Sequence, residues 1–126
     1  MQHGGVPVRV LIVDDQPSFR EIAREVLHRR GYTVVGEAAC SATAIDAAER
    51  LQPDAVLLDV CLGEDSGFEV AWALRGACPD AAVLLVSNRD YGHCQDRLRF
   101  CGARGLLVKS RLASVDLNAY WPDSDE

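Results

Sequence analysis

Apolar residues gather into five short runs along the chain: Val8-Arg9-Val10-Leu11-Ile12-Val13, Thr33-Val34-Val35-Gly36-Glu37-Ala38, Ala55-Val56-Leu57-Leu58, Ala82-Val83-Leu84-Leu85-Val86 and Gly105-Leu106-Leu107-Val108. Runs this short read as strands, and unbroken apolar character means a strand covered on both faces. The second run is weaker and predicts a strand nearer an edge. Between the runs the period changes. Phe19, Ile22, Ala23, Val26 and Leu27 fall at helical spacing, with Arg20, Arg24 and Glu25 on the wet side. Pro17 suits the first turn of that helix and Gly31 its C-terminal stop. Ala44, Ile45, Ala48 and Leu51 predict a second helix, capped by Ser41 and stopped by Pro53. Phe68, Ala71 and Leu74 predict a third, with Ser66 and Glu69 as a capping box and Gly76 and Pro79 as terminators. Cys94, Leu98 and Cys101 give a fourth helix a sparse stripe, closed by Gly102. Val115, Leu117, Ala119 and Tyr120 suggest a short last helix, capped by Ser114 and ended by Trp121 and Pro122.

Strand then helix, repeated, requires parallel strands joined by helical crossovers. The expected fold is therefore a doubly wound α/β domain around one five-stranded parallel sheet. A chain of 126 residues fits one domain. Residues 1–6 read as a flexible leader, 7–122 as the domain and 123–126 as an acidic tail. The net charge of −6 argues against direct binding to nucleic acid or to a membrane surface. No stretch is long and apolar enough to span a bilayer, and Val8 to Val13 is too short for a signal sequence. The expected location is the cytoplasm. The five cysteines, Cys40, Cys61, Cys78, Cys94 and Cys101, are odd in number and show no CxxC spacing. They read as reduced thiols, most of them small core residues, with Cys61 the exception by its nearness to Asp59.

The ends of the runs carry the chemistry. Asp14 and Asp15 close the first, Asp59 the third, Ser87 the fourth, and Lys109 follows the fifth. In an open parallel sheet, ligands bind beyond the carboxyl ends of the strands. One strand-end Asp is often only a turn former, but five such groups in one fold point to a shared crevice. Carboxylates ~4 Å apart repel by roughly 1 to 4 kcal/mol, so a cation must offset them. Lys109 is one candidate and Mg2+ the other, a hard ion suited to carboxylates and phosphate. Asp14 and Asp15 would hold the metal, and Asp59 would be a nucleophile toward phosphorus. Lys109 and Ser87 would meet the phosphoryl oxygens.

The set resembles the receiver domain of two-component response regulators. The matching stretches are Val10-Leu11-Ile12-Val13-Asp14-Asp15, Val56-Leu57-Leu58-Asp59-Val60, Ser66-Gly67-Phe68-Glu69-Val70-Ala71, Leu84-Leu85-Val86-Ser87 and Gly105-Leu106-Leu107-Val108-Lys109. The resemblance implies a flavodoxin-like, CheY-like sheet of order 2-1-3-4-5. It implies that Asp59 accepts a phosphoryl group from a phosphohistidine of a sensor histidine kinase. Mg2+ would lie on Asp14, Asp15, Asp59 and the backbone carbonyl of Cys61. Ser87 and Lys109 would contact the phosphoryl group, and the face of the fourth helix, fifth strand and fifth helix would switch an unknown output partner. A weak homodimer is compatible with this. The chain departs from the pattern at Leu106, where many members carry an aromatic ring that swings inward. It departs also at Ser110 and Gly63, where many have Pro, and at Asn88, which stands on the route of a phosphodonor.

The expected role is a switch rather than an enzyme, either stand-alone or as the N-terminal part of a regulator. Two alternatives stand beside it: a degenerate receiver that binds a partner without phosphorylation, and a small Mg2+-dependent phosphohydrolase working through an aspartyl-phosphate. The second lacks a second acid two residues past Asp59, where Cys61 sits. Arg89, Arg97, Arg99, Arg104, Lys109 and Arg111 outnumber Asp90 and Asp96 between Asn88 and Leu112. That run reads as a solvated face or as a docking face for an acidic segment. Trp72 and Trp121 read as packing or partly exposed anchors, and His28 and His93 as surface residues.

Overall fold

The computed structural model describes residues 7–88, 98 and 100–121. Five long strands, β1 (Arg9–Val13), β2 (Thr33–Ala38), β3 (Ala55–Asp59), β6 (Ala82–Ser87) and β7 (Gly105–Val108), form one sheet in the order β2-β1-β3-β6-β7. Every adjacent pair is parallel. Counted along the chain, that is the 2-1-3-4-5 order expected. Among the described residues, three helices are seen from end to end, α1 (Pro17–Arg29), α2 (Ser41–Leu51) and α3 (Gly67–Ala77), and Leu98, Phe100 and Cys101 are also helical.

Side chains alternate across a strand, so one sheet feeds two cores. Leu11, Val13, Val56, Leu58, Val83 and Leu85 face α2 and α3. Val10, Ile12, Leu57, Leu84 and Val86 face Phe19, Ala23 and Leu27 of α1 and the C-terminal Leu112, Leu117 and Trp121. Both faces are covered, which is why β1, β3 and β6 read as unbroken apolar runs. β2 lies at the edge and is only partly buried, as its mixed composition suggested. Pro17 opens α1, and Gly31 follows it with φ +88°, a conformation open to glycine at little cost.

Several local expectations fail. Ile22 is 57% exposed, because the covered stripe of α1 is narrower than its apolar pattern. Ser41 is the first residue of α2 rather than its cap; Cys40 holds that place, and the Ser41 hydroxyl donates to Asp65 Oδ2 at 2.7 Å instead. Ser66 does precede α3, yet its hydroxyl makes no capping bond, so the box with Glu69 is absent. Gly76 does not stop α3, which runs on to Ala77 before Pro79. The segment after Asp59 is a two-stranded hairpin, not an open loop. β4 (Cys61–Leu62) pairs antiparallel with β5 (Asp65–Ser66), turning at Gly63 with φ +61°. That backbone excludes proline, whose ring fixes φ near −65°.

No α-helix follows β7 among the described residues. Two 3₁₀ turns, Lys109–Arg111 and Leu117–Ala119, take its place; Asp116, not Ser114, caps the second by accepting from Asn118 N. Of the four described cysteines, Cys78 and Cys101 are buried and Cys40 and Cys61 are exposed. Trp121 is buried edge-on to Tyr32, Trp72 is 57% exposed and His28 is exposed. The leader, the acidic tail, His93, Cys94, Arg97 and most of the expected fourth helix lie outside the described residues.

Candidate functional site

The alternation that divides the cores also aims the polar groups. Asp14 continues the side of Val10 and Ile12, Asp59 that of Ala55 and Leu57, and Lys109 that of Leu107, all residues of the α1-side core. All three emerge at the carboxyl edge of adjacent or near-adjacent strands, and they meet. Lys109 Nζ lies 2.7 Å from Asp14 Oδ2 and 3.4 Å from Asp59 Oδ2. The ammonium is also 4.5 Å from the centre of the Phe19 ring, a cation–π contact. Asp14, Asp59 and Ser87 are the buried polar residues of the domain among those described.

Asp14, Asp15 and Asp59 each present a carboxylate oxygen within 4.8 Å of the others. Asp15 is exposed, and its Oδ2 accepts from Gly63 N at 3.2 Å, tying the β4–β5 hairpin over the corner. Asp59 Oδ1 accepts from Cys61 N at 3.2 Å. Ser87 and Cys61 line the same depression of about 360 Å³ with Asp15, Gln16, Asp59, Gly63 and Asn88. The five side chains expected to converge therefore do so, and Cys61 adjoins them. Ser87 enters from the opposite face, on the side of Val83 and Leu85.

The charges are unbalanced. Burial raises the Asp59 pKa above its usual value; the Cys61 N–H opposes this, Asp14 adds to it, and Lys109 offsets part. Asp14 Oδ2 is sealed from solvent without hydrogen-bond geometry to any described group, held only by the charge of Lys109. A buried carboxylate oxygen left in this state, beside two further carboxylates, suits a hard divalent cation by type.

Residues 10–117 match the family model of the response regulator receiver domain. This chain is a response regulator receiver domain. The receiver is 37% identical over 114 residues to the nitrate/nitrite response regulator NarP of Escherichia coli, covering 90% of this chain and 53% of NarP. It resembles the solved two-component response regulator of the LuxR family from Aurantimonas, with a TM-score of 0.77 and 31% identity over 83% of this chain and 76% of that one. It also resembles a Burkholderia pseudomallei response regulator solved with a phosphorylated aspartic acid, calcium ion and citrate, with a TM-score of 0.74 and 28% identity over 89% and 68% of the two chains. The receiver spans about half the length, or less, of the curated relatives it matches. No described helix is long and apolar enough to cross a membrane.

Three residues of the site escaped sequence reasoning. Gln16 accepts from Lys109 Nζ through Oε1 at 3.2 Å, while its own N–H donates to Asp14 Oδ1 at 2.8 Å. Arg20 donates to the Asp14 carbonyl at 2.6 Å and to Glu37 Oε1 at 3.2 Å. Gly67 lets α3 begin against the end of β3: a Cβ there would lie 2.2 Å from the Asp59 carbonyl oxygen. Adjacency to the Asp pair was the one available hint for Gln16. Nothing in the spacing pointed to Arg20. Leu106, where many family members carry a ring, is half-buried against the α2–α3 core.

Proposed function

We propose that this receiver is a phosphorylation-controlled switch in which Asp59 accepts a phosphoryl group from a phosphohistidine of a sensor histidine kinase. The observation that carries the reading is a nearly buried carboxylate at the end of the central strand, with Lys109 3.4 Å away and an open depression before it. An Asp59 oxygen bonds to phosphorus as the bond to the departing group breaks. Lys109 lies where it would meet one phosphoryl oxygen, and Ser87 lines the wall where another would fall. Asp14, Asp15 and Asp59, with the Cys61 carbonyl, would hold Mg2+, which when bound supplies positive charge toward the phosphoryl oxygens. The chain acts as a phosphoacceptor and not as an enzyme with turnover on an outside substrate, and it works in the cytoplasm. Its output is a partner or effector domain engaging the β7 side of the sheet, without direct nucleic-acid contact by this chain. A degenerate receiver is the second reading, favoured by one observation: Leu106 offers no ring to swing.

Incubation with Mg2+ and acetyl phosphate, followed by intact mass, tests the proposal, with beryllofluoride and Trp fluorescence as the second arm. A mass adduct in the parent that is absent from Asp59→Asn supports the switch. No adduct in the parent, or one that persists in Asp59→Asn, refutes it. Steady hydrolysis of phosphate monoesters would point instead to a phosphohydrolase.

A further inference from the structure

We infer that Gln16 is a positioning residue that holds the Lys109 ammonium off Asp59 and so sets the rate at which Asp59 takes a phosphoryl group. The inference rests on the switch reading above and concerns a residue with no charge of its own. The Lys109 ammonium hydrogen-bonds Gln16 Oε1 at 3.2 Å and Asp59 Oδ2 at 3.4 Å, and it pairs by charge with Asp14 Oδ2 at 2.7 Å. The longest of the three is to the nucleophile. Gln16 and Asp14 together draw the ammonium toward α1, where the Phe19 ring lies beneath it.

Gln16 is itself fixed. Pro17 restricts its backbone to extended geometry, and it shows φ −99° and ψ 110°. Its N–H is bound to Asp14, and its carbonyl accepts from Phe19 N and Arg20 N, both at 3.1 Å. Only the side chain is left to move, and it lines the depression before Asp59. Without the Gln16 side-chain carbonyl, Asp59 Oδ2 is the one hydrogen-bond acceptor left to the ammonium among the described residues, and the ammonium settles closer to it. A nucleophilic oxygen bound tightly to an ammonium attacks more slowly. In the step affected, that oxygen bonds to phosphorus, the bond from phosphorus to acetate breaks, and acetate leaves with the electron pair. No proton is transferred.

The test is a double-mutant cycle on the full chain with acetyl phosphate and Mg2+, following adduct formation by intact mass over a range of donor concentrations. Gln16→Met keeps the length and removes the acceptor. It should lower the maximal rate about threefold to tenfold and leave the half-saturating donor concentration unchanged. In a Lys109→Met background the same change should do nothing further, since the group it acts through is gone. Thermal midpoints of the parent and Gln16→Met show whether both are folded. Equal slowing in both backgrounds, an effect on donor half-saturation alone, or a parent-like rate in Gln16→Met overturns the inference while leaving Asp59 as acceptor. A parent chain that forms no adduct overturns the switch reading and this inference with it.

Discussion

Replacing Asp59 by Asn should stabilise the metal-free fold, and the gain should grow with pH. The Asp59 carboxylate is 5% exposed and lies within 4.8 Å of oxygens of Asp14 and Asp15. With an effective dielectric constant of about 20, each repulsion at that distance is worth about 3 kcal/mol. The attraction of Lys109, 3.4 Å away, is worth about 5 kcal/mol on the same scale. The two repulsions slightly exceed the one attraction, and burial of the charge adds to the unfavourable side. Lys109 also keeps Asp14 at 2.7 Å when Asp59 is neutralised. A net gain of about 1–2 kcal/mol follows for Asp59→Asn at pH 7.5 in chelator, a shift of about 1 M in the urea midpoint.

The pH dependence has a definite sign. The ordinary carboxyl value is 3.8, and the folded value of Asp59 is raised above it by burial first and Asp14 next. Between the two values the folded chain binds more protons than the unfolded one, so the parent loses stability as pH rises. Above the folded value the full deficit is present. Asp59→Asn has no such group. Its advantage should therefore open from about pH 4 upward and level off once Asp59 is ionised in the folded chain. Urea melts of both chains from pH 4 to pH 8 in chelator measure this. A variant less stable than the parent at pH 7.5, or a difference that stays flat with pH, would refute the electrostatic account of the site.

Three further outcomes follow from the same geometry. Lys109→Met should destabilise the chain by about 3 kcal/mol at pH 7.5 in chelator, because it strips the counter-charge from two buried carboxylates; the loss should shrink as pH falls and Asp59, whose pKa is raised by burial, protonates, as urea melts at two pH values would show. Gly67→Ala should cost about 2–3 kcal/mol and slow adduct formation, since its Cβ would meet backbone atoms of Asp59 and Val60 at 2.2 and 2.6 Å; a parent-like midpoint in denaturant would contradict this. Arg20→Met should cost about 1 kcal/mol and weaken Mg2+ binding measured by Trp fluorescence, because it frees the Asp14 carbonyl and leaves Glu37 with Arg24 alone; an unchanged Mg2+ titration would remove Arg20 from the site.

The sheet was legible because burial leaves a one-dimensional trace. Val56, Leu57 and Leu58 are apolar in succession because each meets a core, whichever face it points to. The acids and Lys109 were legible because they interrupt such runs at their ends. Caps and turns were less so. Ser41 and Ser66 are sound capping residues by type, yet Ser41 turned to Asp65 and Ser66 became the end of a two-residue strand. Those outcomes depend on a hairpin that no apolar period announces. The missing last helix has the same origin: Leu112, Leu117 and Trp121 bury themselves against the α1-side core from two 3₁₀ turns, so helical spacing was not required. Gln16 and Arg20 reach the site through long side chains, and sequence position does not report where those end.

The two-faced sheet bears on how a modification at one oxygen could reach a distant surface. Asp14, Asp59 and Lys109 belong to the α1 side, and Ser87 belongs to the α2–α3 side with Leu85 and Cys101. Ser87 is level with Val108 in the neighbouring strand, one residue past Val86, which pairs with Asp59. A group attached to Asp59 would therefore be touched from both layers at the edge where neither is filled. Elsewhere the layers are separated by the sheet, packed too tightly for a small shift to be absorbed silently. Contact with Lys109 alone would leave the α2–α3 layer untouched, and contact with Ser87 alone would leave three carboxylates unbalanced. On the switch proposed above, the coupling would reside in that pair of groups, one from each face, and would not need the ring that Leu106 lacks.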